Sequence, residues 1–564
     1  MRKPRLVLAF LLATGPISAG LTACGGDDNA AGSAPDGGST GTDSGGNKDT
    51  DPSDGGTDSA VGPQASASAT TVYFGHAVTL DGSESTGPGG LTYAWTVATV
   101  PAGSSITTAS LAGANTAKAT FVPDAPGAYE MTLTIGAGAA KSSATVVANV
   151  VDPPVFFFDS ENDVDAGHQA KLKVAGASAR DAGVPVGCFT SDAGSFDGLI
   201  RDTAMAGADW WEAPAGQPSK VVFVFETRED GGASTVLAAT TSAATCANGP
   251  TNLATFPGAT RDTRAAEQPQ FSPSGNRIAY VRRENGTTQV ATIGFDGSDA
   301  HTLGAFEAFP DGGPNPEPGG TFGDPRARPV WLNDTTVAWL QRLDDDRWQI
   351  VSANDVADAS PALLMSCSGS EPLQIDVLAN GDVVVAQFVG NPEGATNILV
   401  YPIDPATKAC GPARNLSLLT DNSYARDFAL SPDRTRVAYA AWDSATNQQE
   451  LLVARVDGTT PPVSVASPLG GANRGARWVG SGAFITWGID GVQLDAGITG
   501  NAVAVVPSDG GVARAVAASP SGGTTEAIGN GLWSCSFAPA VGSGVSLFGI
   551  VGILALRLVR RRRS

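Results

Sequence analysis

The stretch Phe271-Ser272-Pro273-Ser274-Gly275-Asn276-Arg277-Ile278-Ala279-Tyr280 has a near copy at Leu430-Ser431-Pro432-Asp433-Arg434-Thr435-Arg436-Val437-Ala438-Tyr439. In both, Ser-Pro precedes Ala-Tyr by seven residues. A second apolar stretch follows each copy and ends in an Asp-Gly turn: 289–295 before Asp296-Gly297, and 450–456 before Asp457-Gly458. Residues 503–506 before Ser508-Asp509-Gly510 repeat that ending. Weaker copies of the first strand pair start at Trp211, Trp331, Val377 and Trp478, so the starts at 211, 271, 331, 377, 430 and 478 lie 46 to 60 residues apart. A unit this short cannot bury its own apolar face, so successive units must stack on one another. Short apolar strands at this period fit one four-stranded propeller blade per unit. Six units are counted, with a seventh if 152–200 adds strands, and that stretch is expected to supply a closing strand at 170–174. Trp331, Trp339, Trp478 and Trp487 fall at strand positions that repeat between units, which assigns them to the packing between blades. Trp210 and Trp211 are neighbours on a strand and face opposite sides, leaving one of them available to a ligand such as a sugar ring.

On residues 271–275 and 430–434, the repeat resembles the TolB-like family of β-propellers, in which an aromatic-Ser-Pro-Asp-Gly turn precedes an apolar strand. Two units match well, and four match by spacing and pattern. The resemblance implies an all-β propeller of six or seven blades over 152–533.

Residues 63–151 show a different pattern. Val78-Thr79-Leu80, Tyr93-Ala94-Trp95-Thr96-Val97, Ala119-Thr120-Phe121-Val122 and Met131-Thr132-Leu133-Thr134-Ile135 are short strands separated by Gly, Pro and Ser turns. That pattern predicts a β-sandwich. Leu80-Asp81-Gly82-Ser83, the Tyr93-Ala94-Trp95 strand and Pro126-Gly127-Ala128-Tyr129 resemble the PKD family of immunoglobulin-like modules, without the Gly-Asp-Gly usual after the tryptophan strand. The resemblance implies a buried Trp95, a Tyr129 near the corner into the last long strand, and a spacer or adhesion role.

The two ends are written for a membrane. Three positive charges among residues 1–5, a largely apolar 6–19 and then Leu21-Thr22-Ala23-Cys24 give the order of a secretory signal peptide. Leu-x-Ala-Cys resembles the lipobox of bacterial lipoproteins, which implies cleavage after residue 23 and lipidation of Cys24. Two or three acyl chains, at about 0.8 kcal/mol per buried methylene, anchor a protein stably. Residues 24–62, rich in Gly, Asp, Ser and Thr, are expected to form a disordered tether. At the far end, Cys535, Gly542-Ser543-Gly544, the apolar 545–556 and Arg560, Arg561, Arg562 and Arg563 resemble a MYXO-CTERM sorting signal, with one cysteine where such signals often have two. Residues 534–564 are therefore expected to be a sorting signal or a transmembrane helix, its arginines held in the cytoplasm. The apolar run is a little short of the roughly 20 residues a spanning helix uses.

A net charge of −21 argues against nucleic-acid partners, which demand a basic surface. Away from the two ends, Cys188, Cys246, Cys367 and Cys410 show no CxxC spacing, and in an oxidising envelope they are expected to form two disulfides. Of three possible pairings, Cys188–Cys246 and Cys367–Cys410 are favoured as sequence neighbours; the second would contribute about 4 kcal/mol in the chain-entropy picture. His76, His168 and His301 lie far apart in polar or turn-like surroundings and make no metal site. Asp159 to Gly167 has the acidity of a calcium loop but lacks the Gly at the sixth position and a Glu at the twelfth, where Ala170 stands. Gly37–Gly41 is a Gly-x-Ser-x-Gly inside the tether, where no nucleophile elbow can form. Asp344-Asp345-Asp346, and Glu161 with Asp163, are candidate paired carboxylates, though charge runs of this kind are ordinarily solvated loops. No catalytic residue, metal or cofactor is assigned. The chain reads as an envelope-anchored, non-enzymatic binding or scaffold lipoprotein at the outer membrane or cell surface, presenting a propeller to a protein or polysaccharide partner. Two alternatives stand beside that: a surface hydrolase or lyase acting on polysaccharide, and a periplasmic TolB-like partner in an envelope complex.

Overall fold

The computed structural model describes residues 62–163, 167–178, 184–185, 207–229, 232–243, 250–257, 266–284, 287–306, 328–344, 347–369, 372–389, 395–419, 423–443, 448–465, 472–495, 498–510, 514–519 and 524–527. Apart from one 3-10 turn, Thr108–Ser110, every described element is a strand. No helix among the described residues is long and apolar enough to cross a membrane. The lipobox Cys24, the tether, Cys188, Cys246, Cys535 and Arg560 to Arg563 lie outside the described residues.

The N-terminal unit is two facing sheets. Ser68–Ala69, Val78–Asp81 and Lys118–Phe121 make one, and Val72–Tyr73, Ala140–Val151, Gly127–Ala137 and Thr92–Thr99 make the other. The alternation of buried and exposed residues along Gly127–Ala137 puts Tyr129, Met131, Leu133 and Ile135 on one face. They meet Trp95, Val78, Leu80 and Phe121 in one core. Trp95 is buried and donates its indole N–H to Thr116 O at 3.1 Å. Tyr129 donates its hydroxyl to Ala125 O at 2.7 Å, closing the corner that opens its strand.

Beyond Val151 the strands group in fours. Blade 2 comprises Ala208–Trp211, Lys220–Glu229, Gly232–Thr241 and Thr251–Pro257; blade 3 comprises Ala266–Phe271, Arg277–Glu284, Thr287–Gly294 and His301–Phe306. Blade 4 runs from Val330–Asn333 through Thr336–Asp344 and Arg347–Asn354 to Ala362–Ser368. Blade 5 holds Gln374–Val377, Val383–Val389, Ala395–Tyr401 and Arg414–Asn415, and blade 6 holds Tyr424–Leu430, Arg436–Asp443, Gln448–Arg455 and Val463–Ser464; a single parallel pairing of Thr396 with Tyr424 joins the two into one eight-stranded sheet. Blade 7 is Ala472–Val479, Phe484–Asp495, Ile498–Pro507 and Arg514–Ser519. Each inner strand coincides with one of the six repeat starts.

A seventh sheet, blade 1, joins the two ends of the domain. Pro154–Asp163, Gly167–Gly176 and Val184–Pro185 come from the start, and Thr524–Ala527 comes from the end, pairing Thr524 with Ser160 and Ala527 with Phe157. The sequence expectation of a closing strand at 170–174 is corrected here. Those residues belong to a ten-residue strand within the blade, and the C-terminal strand makes the closure.

Apolar clusters join every pair of neighbouring blades. One spans blades 7, 1 and 2; others link 2 with 3, 3 with 4, 4 with 5, 5 with 6, and 6 with 7, so the ring is complete and the domain is a β-propeller. The repeated Ile/Val-Ala-Tyr explains the stacking. In blade 6, Val437, Tyr439 and Ala441 face blade 5, while Ala438 faces blade 7 and makes room for Trp478 and Trp487. In blade 3, Ile278 and Tyr280 face blade 2, while Ala279 faces Trp331 and Trp339 of blade 4. A strand buried on both faces therefore alternates large and small residues rather than apolar and polar ones.

Two residues separate Val151 from Pro154, and the sandwich is seated on the propeller. Tyr73 donates its hydroxyl to Ala213 O at 2.6 Å, His76 Nε2 lies 2.7 Å from Gly480 O, and Phe74 stacks on Phe484 at 5.7 Å. Cys367 and Cys410 are joined by a disulfide, their Cα atoms 5.2 Å apart, which staples the 402–413 connection of blade 5 onto the outer strand of blade 4.

Candidate functional site

Within a blade of four antiparallel strands, the first and third turns fall at one end and the second turn at the other. Six inner strands deliver their last residues and first turns to the same mouth of the central channel, where they enclose a cavity of about 630 Å³. That lies within the ~300–1,000 Å³ of small-molecule sites.

Charged side chains from different blades meet across this mouth. Arg477 of blade 7 pairs with Asp209 of blade 2 at 2.5 Å and also donates to Trp210 O, while its guanidinium lies 5.0 Å from the Trp210 ring centre. The other oxygen of Asp209 accepts from Phe271 N of blade 3 at 2.8 Å. Glu212, just past the inner strand of blade 2, accepts from the backbone N–H groups of Gly480 and Ser481 at 2.5 and 2.6 Å. Burial pushes the Glu212 carboxyl up, against the pull of those two N–H groups and of Arg477 and His76.

On the opposite wall Arg434 of blade 6 faces Asp376 of blade 5 at 3.6 Å and donates to Val377 O. Arg328, at the entry to blade 4, donates to the Gln270 side chain of blade 3. Asp376 accepts from Val377 N at 2.7 Å. Enclosure in the cavity wall raises its carboxyl, and Arg434, the Val377 N–H and Arg328 offset this only in part.

The backbone at Arg434 is left-handed, φ +54°. At the same place in the turns of blades 3, 5 and 7 stand Gly275, Gly381 and Gly482, with φ +69°, +90° and +94°. Each of these residues donates its N–H to the carbonyl three residues back, as Arg434 does to Ser431 O at 2.7 Å. Glycine adopts this conformation freely, whereas a residue with a Cβ does so at about 1–2 kcal/mol.

Trp210 is buried edge-on against Phe156 at 4.7 Å. Trp211 donates to Pro273 O at 2.8 Å, with Lys220 over its ring at 5.2 Å and Gly275 against the ring itself. Trp210 is thus committed to the seam between blades, whereas Trp211 packs on the neighbouring blade yet stays half-buried and lines the cavity. Trp331, Trp339, Trp478 and Trp487 lie in inter-blade clusters. At the rim between blades 3 and 4, Arg277 holds Asp355 by two hydrogen bonds of 2.5 and 2.7 Å, and His301 places Nδ1 2.8 Å from Asp355 and Nε2 3.0 Å from Asp299. Among the described residues no group of three or more His, Cys, Asp or Glu could hold a metal ion. Asp344, Asp345, Asp346 and all of 159–167 cannot be placed in a site, because their side chains lie outside the described residues.

Sequence reasoning did not single out the channel-mouth arginines. The signal for Arg434 was nevertheless present: it stands where the sister turn has Gly275. Nothing local marks Arg328, Arg477, Asp209 or Asp376, which come from four blades.

No family model matches the chain, and no curated protein matches it in sequence. Among solved structures it is similar to TolB from Acinetobacter baumannii, at 10% identity and a TM-score of 0.34, covering 69% of this chain and 79% of that one. It is also similar to an oligogalacturonate lyase from Vibrio parahaemolyticus, at 10% identity and a TM-score of 0.38, covering 65% and 87%. A quinonprotein alcohol dehydrogenase-like protein from Bacteroides thetaiotaomicron gives 10% identity, a TM-score of 0.34 and coverage of 81% and 95%.

Proposed function

We propose that this chain is an envelope-anchored binding or scaffold lipoprotein. Lipid at Cys24 and the 24–62 tether hold a PKD-like sandwich, which carries a seven-bladed, TolB-like propeller to a protein or polysaccharide partner. The observation that supports binding is the channel mouth, a polar cavity of about 630 Å³ whose walls are ion pairs contributed by separate blades. The seating of the sandwich through Tyr73, His76 and Phe74 makes it a spacer fixed to the propeller, so the two move together on the tether. Immobilised full-length protein, offered envelope extract and a panel of polysaccharides, is expected to retain a saturable partner that is lost on substitution at the channel mouth. Retention of nothing saturable would sink the binding reading.

A second reading, a surface hydrolase or lyase, has one observation in its favour. Asp376 and Glu212 are both pushed toward the protonated form in a cavity where Asp209 is held by Arg477. A carboxyl pushed up and another paired with a cation across one cleft resemble the pair that glycoside cleavage uses. Shortening of a polysaccharide by the native protein but not by Asp376→Asn would replace the first reading with this one.

A further inference from the structure

We propose that the channel mouth is a binding site for a carboxylate group on a small polar ligand, with Arg434 as its principal contact. The inference deepens the binding reading and rests on it.

Arg434 is the starting point, because its position works against the fold. The turns of blades 3, 5 and 7 place glycine at the left-handed residue, and blade 6 places an arginine there at φ +54°. A non-glycine residue persists in such a conformation when its surroundings hold it there, and such positions concentrate at functional sites. The turn itself does not use the side chain: its backbone bonds, Arg434 N to Ser431 O and Ser431 N to Arg436 O, match those of the Ser272–Arg277 turn. What the substitution changes is the cavity, which gains a guanidinium.

That guanidinium is incompletely used. Nη1 donates to Val377 O, and Asp376 stands 3.6 Å away, beyond hydrogen-bond reach. Nε and Nη2 have no acceptor among the described residues. A planar guanidinium with an open edge matches a carboxylate, which it can bind through two parallel hydrogen bonds. Arg328 adds a second positive charge on the neighbouring wall.

Asp376 would repel an anion if ionised. Burial pushes its carboxyl up, which lessens that repulsion. On the far side Arg477 is charge-paired with Asp209 and donates to Trp210 O, and the Glu212 carboxyl faces two backbone N–H groups. The anion is thereby directed to the blade 4–6 side. The volume suits a small acid or the acidic end of a longer chain.

The test uses full-length protein in detergent, with glucuronate, glucose and succinate titrated calorimetrically. Glucuronate is expected to bind and glucose not to bind. Arg434→Gly should weaken glucuronate at least tenfold, with an unfolding midpoint no lower than that of the native protein, since it restores the sister turns' residue. Arg434→Lys, which keeps charge but not the two-pronged geometry, should fall between them. Binding of succinate as tight as glucuronate supports the carboxylate site and assigns its source to a free acid; weaker succinate binding assigns it to an acidic sugar. Equal binding of glucose and glucuronate, no binding of either anion, or full glucuronate affinity in Arg434→Gly would each overturn the proposal. A macromolecular partner that Arg434→Gly still captures would leave the broader binding reading standing without this site.

Discussion

The turns at 272–277 and 431–436 are near copies in sequence and in backbone, yet they do different work. In blade 3, Gly275 lies flat against Trp211, where an added Cβ would come within 2.3 Å of Trp211 Cδ2. In blade 6 the corresponding residue is Arg434, whose side chain crosses to Asp376 and Val377 of blade 5. Two residues further on, Arg277 is locked into Asp355 and Asp299 at the rim, whereas Arg436 lies over the Trp478 ring at 4.7 Å. One backbone solution therefore hosts a closed structural seam in one blade and a polar cavity wall in another. The seam is where glycine is obligatory, and the wall is where the repeat rule is broken.

The comparison breaks most severely at the arginine two residues past the left-handed position. Asp355 is buried beside Arg277, with the two side chains 5% and 16% exposed. Burial alone would raise its carboxyl, but hydrogen bonds from Arg277, Thr292 and His301 outweigh this and hold it below the usual range. Asp355→Asn leaves the guanidinium only the exposed Asp299 as counter-charge and is expected to cost up to about 3–5 kcal/mol in urea unfolding. Removing the Arg436 head group, by Arg436→Met, should cost about 1 kcal/mol or less, as an aromatic contact does. Equal losses would mean that the two seams are equivalent after all.

Next comes the left-handed position. Gly275→Arg must adopt a disfavoured backbone and displace Trp211, for about 2–4 kcal/mol in the same measurement.

A third copy of the turn, 479–482 in blade 7, is covered by the sandwich, and Tyr73 reports on that contact. Burial, and then the charge of Glu212, push its hydroxyl up from about 10 to about 12. Below pH 10 both folded and unfolded chains keep this proton. Between pH 10 and 12 the unfolded chain gives it up first, so stability should fall by at most about 2.7 kcal/mol as pH rises. Tyr73→Phe should remove this part of the slope while costing about 1 kcal/mol at neutral pH for the lost bond to Ala213. An unchanged slope in that variant would place the titration elsewhere.

The smallest effect is expected where the rule is already broken. Arg434→Gly relieves a left-handed backbone but frees the unfolded chain, so stability should change by no more than about 1 kcal/mol, in the favourable direction. A loss beyond that would make Arg434 a structural residue, with Asp376 its partner.

Much of the fold was legible because it is local and repeated. The Ile/Val-Ala-Tyr strands, the Asp-Gly turns and the tryptophans at 331, 339, 478 and 487 carry their environment in their own spacing, since a strand buried on both faces alternates large and small residues. The Cys367–Cys410 disulfide follows the sequence neighbours favoured above, because consecutive blades pack side by side. Blade 1 was not legible in this way. Its inner strand, Thr524–Ala527, pairs with Ser160 and Phe157 across almost the whole domain, and four residues hold no periodicity that points to so distant a partner. The tryptophan pair at 210–211 was legible only in part: alternation says that two neighbours face opposite ways, but in a ring both directions meet another blade, and only Trp211 keeps an edge on the cavity.

Amino-acid order alone specifies an all-strand chain, its repeat length, the inner strand of six blades and the turn at which each begins, because turn chemistry and strand periodicity act over a few residues. It also placed an arginine where its own repeat calls for glycine. Tertiary structure alone decided that the ring closes through its two ends and that the sandwich seats on blades 2 and 7. It also decided that Asp209, Arg328, Asp376, Arg434 and Arg477 share one cavity. Those relations depend on the rotation from each blade to the next, summed around the ring, and no single segment of chain encodes that sum.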